Sequence, residues 1–427
     1  MTLYRVRLLA GPVVLAVSLS LGVGASDARP AARGSAVTIS MIAASANQPV
    51  FNVLIANFQR VYPNITVNIS YTPSSAVLYQ LEATELAAGN APDLVTTYPG
   101  CGTPISVCTL AQSGYLAPMV NKPWVKWSLP LVTSAEKHGQ GLFTFEPTVS
   151  AYGIFTNDAL FKQLGLKVPQ TFSQLLEVCQ KAKAAGTVAV LFPGANQAQG
   201  ASLIVDLAVA TLYGKDKQWA AELRAGKVSF DGTPGWQQAL QEFVAMNNAG
   251  CFEPGVAGTA TVTTQFALGQ SLMYPGISAF RASIGAANPQ FSYSLHPFPG
   301  GAAPNQTSTV LSLNMSLSVS AHSNAQNQAA AQTFVDFIAR PKQNALYAQV
   351  QGGLTQYEFL KGQIPAFMSA FVNVFKQHEY VVSPMASWWN ANVALALQQD
   401  VVGLITGQLS IDAVLNAMDA AWKQGPA

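Results

Sequence analysis

Between Val37 and Gly100 the hydrophobic period of the chain switches repeatedly, and that switching constrains the fold more than any other feature. Val37–Met41 is a short run of strand type. Phe51, Leu54, Ile55, Phe58 and Tyr62 then recur at helical spacing until Pro63 stops the helix. Ile65, Val67, Ile69 and Tyr71 alternate strictly, which marks a second strand. A helix ending at Ala88 is capped by Gly89-Asn90, Pro92-Asp93 turns the chain, and Leu94–Thr97 forms a third strand leading into Tyr98-Pro99-Gly100. This order predicts an α/β fold, a mostly parallel sheet with helices on both faces. Such sheets hold ligands beyond the carboxyl ends of their strands. Tyr98 stands in one such loop, and Ser45 and Asn47 in another, where capping of the next helix is the alternative role.

A chain of 427 residues exceeds the comfortable size of one hydrophobic core, so two lobes are expected. Arg5 and Arg7, the apolar run Leu8–Val23 and the small residues Val23-Gly24-Ala25 read as a cleavable signal peptide over 1–25. Gly11, Pro12 and two serines inside the run disfavour a membrane anchor. No cysteine stands at the end of this run, so a lipid-anchored terminus is not expected. The full chain has 22 basic and 20 acidic side chains, and cleavage would remove Arg5 and Arg7, leaving the two equal. That balance argues against nucleic acid or an anionic membrane as partner.

In an exported chain, four cysteines favour disulfides over metal ligation. Cys101 and Cys108 share one Gly/Pro/Ser-rich loop and are expected to staple it. Cys179 lies on the apolar face of a helix and Cys251 follows another, so a second disulfide and two buried thiols both stay open.

A series of motifs in fixed order resembles a known family. Gly89–Val95 resembles the A-x-G-x-x-P-D-L/V run of extracellular solute-binding proteins that feed ABC importers, family 1, the group containing maltose- and glycerol-phosphate-binding proteins. Gly141–Leu164 resembles the passage G-x-x-y-x-x-P … Y-N-x-D-L-F, with Pro147, Asn157, Asp158, Leu160 and Phe161 in place and Thr156 where the tyrosine is usual. PQTFSQL at 169–175 resembles P-x-T-W/F-x-E-L, with Gln174 in the acidic position. Phe266–Gly276 resembles F-x-x-G-k-x-A-M-x-x-x-G, and Tyr293–Gly301 resembles the strand and loop before a later crossing. Gly352-Gly353-Leu354-Thr355 departs from the family's G-x-x-P.

The resemblance implies a two-lobe periplasmic binding protein fold of type II, each lobe a mostly parallel sheet flanked by helices, with three interlobe crossings. It places 37–150 and 275–313 in the N-terminal lobe and 151–274 and 314–427 in the C-terminal lobe. The crossings would then be Ser150–Phe155, the strand before Gly276, and Val310–Val319. It also implies a monomer, periplasmic or extracellular, that captures a carbohydrate and delivers it to ABC permease subunits.

Binding a neutral polyol calls for aromatic faces, amides and hydroxyls. Loop positions supply these as Ser45, Asn47, Ser75, Tyr98, Glu146, Tyr152, Asn196, Gln197, Tyr274, Gly276 and Ser278. Trp388 and Trp389 stand where relatives carry a stacking aromatic; the resemblance favours Trp389 for the cleft, and packing of both indoles in the core or at a lobe surface is the alternative. Glu146 reads as an acceptor for sugar hydroxyls or as a solvated loop charge. Arg and Lys are missing from these loops, which argues against an anionic ligand, although helix N-termini leave a phosphorylated polyol open. No H-E-x-x-H, C-x-x-C, G-x-S-x-G or Walker motif occurs, so no catalytic residue, metal or cofactor is expected. A secreted saccharide hydrolase or lyase is the competing class, because a carboxylate pair assembled in space leaves no spacing to read.

Overall fold

The computed structural model describes residues 35–101, 103–302 and 309–425; the leader expected at 1–25 lies outside them. Among the described residues the strands are, in chain order, β1 (Val37–Ala44), β2 (Ile65–Thr72), β3 (Leu94–Thr97), β4 (Lys137–His138), β5 (Gly141–Leu142), β6 (Thr144–Phe145), β7 (Val149–Asn157), β8 (Val188–Val190), β9 (Ser271–Ile277), β10 (Tyr293–His296), β11 (Thr309–Leu313), β12 (Ser316–Val319) and β13 (Tyr380–Val382).

The switching period at the start of the chain does what it predicts. Pro49 in the first turn starts the helix Gln48–Val61, which lays Val50, Phe51, Leu54 and Phe58 on the sheet. Ser74 accepts from the Val77 N–H to cap the helix Ser75–Ala88, and Gly89 at φ 74° ends it. The first sheet has the order β2-β1-β3-β12-β6. β1 is parallel to β2 and β3, whereas β12 is antiparallel to β3 and β6. The helices Gln48–Val61 and Ala325–Ile338 cover one face, where Phe58 meets Phe334 and Phe337 edge-on. On the other, Leu86, Val95, Ile105 and Leu110 form a smaller core.

The second sheet has the order β13-β11-β7-β9-β8, with β10 also on β7. β7 is antiparallel to β9, β10 and β11, while β8–β9 and β11–β13 are parallel pairs. Both sheets are therefore mixed. β7 is buried along its whole length, as a central strand with helices on both faces must be. One face carries the helices Phe172–Ala184, Gln197–Ala208, Pro234–Asn248, Ala391–Thr406 and Ile411–Trp422 around a core with Phe192, Trp236 and Leu397. The other packs Phe155, Phe266, Tyr274 and Phe371.

Three crossings join the sheets, at Glu146–Thr148, at Asn314-Met315 and at Gly352-Gly353, and this redraws the expected lobes. β9 pairs with β7 from Ile277↔Tyr152 to Met273↔Thr156, so the chain does not cross near 275. Residues 275–313 accordingly belong with the second sheet. β12 pairs with β3 from Ser316↔Thr97 to Val319↔Leu94, and Phe334, Val335 and Ile338 fill the core over β1, so 316–351 belongs with the first. Both cysteine pairs are bonded: Cys101–Cys108 with Cα atoms 5.2 Å apart, and Cys179–Cys251 with Cα atoms 4.7 Å apart. The second pair ties the helix Phe172–Ala184 to the chain leaving the helix Pro234–Asn248.

Candidate functional site

The three crossings run side by side and are held in register by side chains. Asn314 Nδ2 donates to the Thr148 carbonyl and hydroxyl, both at 3.0 Å. Asn344 donates to the Pro147 carbonyl at 2.8 Å and Gln356 to the Glu146 carbonyl at 2.9 Å. A Cβ on Gly353 would sit 2.8 Å from Thr148 Cβ, so glycine lets the third crossing lie against the first.

Over these crossings lies a cleft of about 310 Å³. Its floor is Thr148, Asn314 and Met315. The first sheet and its helices contribute Asn47, Ser75, Tyr79, Tyr98, Tyr347 and Gln351, and the second sheet contributes Ile277, Ala279, Ser312 and Leu313. None of these residues is charged. Tyr79 and Tyr98 meet edge to face at 5.4 Å with their hydroxyls 2.9 Å apart. Burial pushes the phenols of Tyr79, Tyr98 and Tyr347 upward, and each is neutral at physiological pH. The cleft thus presents hydroxyls, amides and aromatic rings, a set that hydrogen-bonds neutral polar groups and covers apolar faces.

Of the residues expected at the site, Asn47, Ser75 and Tyr98 line the cleft. Asn47 is buried, and its side chain makes no capping bond to the helix it precedes. The others have structural roles or lie apart. The Ser45 hydroxyl donates to the Pro73 carbonyl, and Ser278 accepts from the Ala151 N–H. Tyr152 packs in the core of the second sheet, and Tyr274 stacks between Phe155 and Phe280 with its hydroxyl 3.0 Å from that of Thr263. Gly276 leaves room for the Phe280 ring, and Asn196 caps the helix Gln197–Ala208, whose first residue Gln197 is exposed.

Glu146 is neither a solvated charge nor a cleft residue. It is fully buried, accepting from the Thr148 N–H and the Ser316 hydroxyl, and burial raises its pKa to about 8. The Glu146 N–H in turn donates to Glu136, which burial raises to about 8 as well. Trp388 is buried against Phe230 and Trp236. Trp389 stacks on Trp422 at 4.1 Å and 10° and donates its Nε1–H to the Trp422 carbonyl. Both indoles are therefore packing groups of the second body, and the cleft's aromatic surface comes from tyrosines.

Sequence reasoning missed Tyr79, Tyr347, Gln351, Thr148, Ser312 and Asn314. Tyr79 was within reach, because it lies four residues after Ser75 and so shares its helix face. Tyr347 and Gln351 were hidden by the assignment of 314–427 to the other lobe.

Two mixed sheets joined by three adjacent crossings under a polar cleft define a recognisable architecture, and the sequence agrees with it. Residues 44–345 match the family described as bacterial extracellular solute-binding protein. The chain belongs to that family. A curated relative, the multiple sugar-binding protein of Streptococcus mutans, is 24% identical over 315 residues, covering 70% of each chain. Among solved structures, a chitin oligosaccharide binding protein superposes with a TM-score of 0.78 at 15% identity over 92% of this chain and 99% of its own. A solute-binding protein from Thermotoga lettingae bound with alpha-D-tagatose superposes at 0.74, with 18% identity, over 91% and 99%. These likenesses establish the fold of this solute-binding protein as the two-lobe, type II periplasmic form. No helix among the described residues is long and apolar enough to cross a membrane.

Proposed function

We propose that this solute-binding protein captures a neutral carbohydrate in the cleft between its sheets and delivers it to the membrane subunits of an ABC importer. It would do so as an exported monomer and without chemical turnover. The observation that carries the reading is the cleft lining: three tyrosines with amides and hydroxyls, and no charged side chain. A sugar ring has apolar faces for the tyrosine rings and equatorial hydroxyls for Asn47, Asn314, Gln351 and Ser312. A phosphorylated polyol would enter without a guanidinium or ammonium to receive it. The sugar-binding relative from Streptococcus mutans and the saccharide-binding structural neighbours support the same ligand class.

Delivery follows from the crossings. Short segments that absorb small backbone rotations let the two bodies swing as units, and a ligand touching both stabilises the closed form over the open one. Isothermal titration with a panel of neutral saccharides, their phosphorylated counterparts and amino acids tests the ligand. Saturable binding confined to the neutral saccharides is expected. Binding confined to phosphorylated members would overturn the reading, and release of cleaved sugar would overturn the pure binding role.

A further inference from the structure

Two main-chain contacts lie beside the cleft, and the binding reading above uses neither. On one flank, Gly100 follows Tyr98 by two residues with φ +86°, and a Cβ there would fall 2.2 Å from the Ala386 carbonyl oxygen. The Cys101 N–H donates to that same oxygen at 2.9 Å, and the Gly100 N–H donates to the Ala135 carbonyl at 2.7 Å. On the other flank, Gly352 at φ +80° would place a Cβ 2.2 Å from the Ala279 carbonyl oxygen. Arg281 Nε donates to the Gly352 carbonyl at 3.0 Å. Ala279 and Gln351, the residue before Gly352, both line the cleft.

The two contacts stand on opposite sides of the first two crossings, and Gly352 itself belongs to the third. Ala386 follows β13 and Ala279 follows β9, and in the second sheet these strands flank β11 and β7, the strands that adjoin the first two crossings. Main chain meets main chain at both places, with no room for a methyl group. One contact lies two residues beyond the lining residue Tyr98, and the other joins Gly352, next to the lining residue Gln351, to the lining residue Ala279. The cleft volume of about 310 Å³ lies at the bottom of the range of about 300–1,000 Å³ typical of small-molecule sites.

We propose that the Gly100–Ala386 and Gly352–Ala279 contacts set the length of the ligand, so that the cleft takes about one or two sugar rings and rejects longer chains. This rests on the saccharide reading. A longer chain can enter only by parting at least one contact, which breaks the Cys101–Ala386 or the Arg281–Gly352 hydrogen bond and leaves its carbonyl without that donor. Gly100, Gly352 and Arg281 are thereby positioning residues for specificity rather than ligand contacts.

The test is calorimetric titration of the disulfide-intact protein with two ladders, glucose to maltotetraose and galactose through melibiose and raffinose to stachyose. In the wild type, the one- or two-ring members of the ladder that binds should be tightest. Three- and four-ring members should be weaker by roughly tenfold or more. Gly100→Ala and Arg281→Ala should narrow that gap to roughly threefold, mainly by strengthening the longer members. The proposal is overturned if the wild type holds the three- and four-ring sugars as tightly as the short ones. It is equally overturned if both variants melt like the wild type and keep the full gap. Should Gly100→Ala fail to fold, the wild-type ranking and Arg281→Ala still decide. If neither ladder nor any other neutral saccharide binds, the saccharide reading itself has failed, an outcome distinct from a flat length dependence.

Discussion

Two aromatic clusters, one in each body, are used in opposite ways. In the second body, Trp219, Trp236, Trp388 and Phe230 pack edge to face or tilted in a closed cluster, and Trp389 lies flat on Trp422. The indole N–H groups of Trp236 and Trp388 lie near the Tyr213 hydroxyl, and among the described residues neither makes a hydrogen bond of ordinary geometry. In the first body, Tyr79 and Tyr98 share a hydroxyl contact and turn toward the cleft, with Tyr347 beside them. The tryptophans contribute area to a core, whereas the tyrosines combine a ring face with a polar tip at a wet surface. Aromatic density along the sequence therefore points to the core, and only the pairing of rings with hydroxyls and amides points to the ligand.

That contrast can be broken experimentally. The largest effect expected is on stability: Trp236→Ala should cost about 3–5 kcal/mol in chemical unfolding, because it opens a cavity in the tryptophan cluster. Ligand affinity, measured below the melting transition, should stay within roughly twofold of the wild type, and a large loss of affinity would place the cluster in the site after all. Tyr98→Ala should do the reverse, weakening saccharide binding by about 2 kcal/mol, some thirtyfold. Its melting temperature should move far less than that of Trp236→Ala.

Beneath the cleft, Glu136 and Glu146 sharpen the contrast further, because they are buried acids where the tryptophan cluster is apolar. Their folded pKa values near about 8 exceed the ordinary value of 4.5, so the folded state holds protons that the unfolded chain has released. Stability from these groups is full below about pH 4.5 and is lost as the pH rises toward 8. Thermal melting from pH 5 to pH 8 should fall accordingly, and Glu146→Gln should flatten the curve by on the order of 1–2 kcal/mol at pH 8. A Glu146→Gln variant with an unchanged pH slope would show that this carboxyl ionises freely in the fold. The smallest effect belongs to Tyr79→Phe. Deleting one hydroxyl from the Tyr79–Tyr98 pair should weaken the ligand by about 0.5–1.5 kcal/mol in calorimetry while leaving the ring contact in place.

Much of the fold was legible because it is local. The period switch from Val37 to Thr97, the Pro63 stop and the Gly89 cap each act over a few residues, and each is found in place. The lobe assignment failed because β12 joins β3 across more than two hundred residues of chain, and no spacing within Ser316–Val319 says which sheet will take it. The site was read in part for the same reason. Tyr98 and Asn47 follow from their positions at strand ends, and Ser75, expected in a loop, opens the helix Ser75–Ala88 beside them. Asn314 and Tyr347 become visible only when the crossings are placed. Trp389 misled because an amphipathic ring pairs equally well with a sugar or with another indole, and Trp422 lies thirty-three residues away on a helix whose packing direction the sequence does not state.

The position of β12 has a further consequence for how the molecule is assembled. A chain synthesised from its amino end presents β3 with its outer edge bare until Ser316–Val319 has been made, most of the way along the polypeptide. An uncovered edge of that kind is an invitation to mispairing with another copy, and long-range closure of this sort is slow. Neither half can ripen as an independent fragment, so a truncated product ending near residue 300 should be a target for chaperones and proteases rather than a half-working receptor.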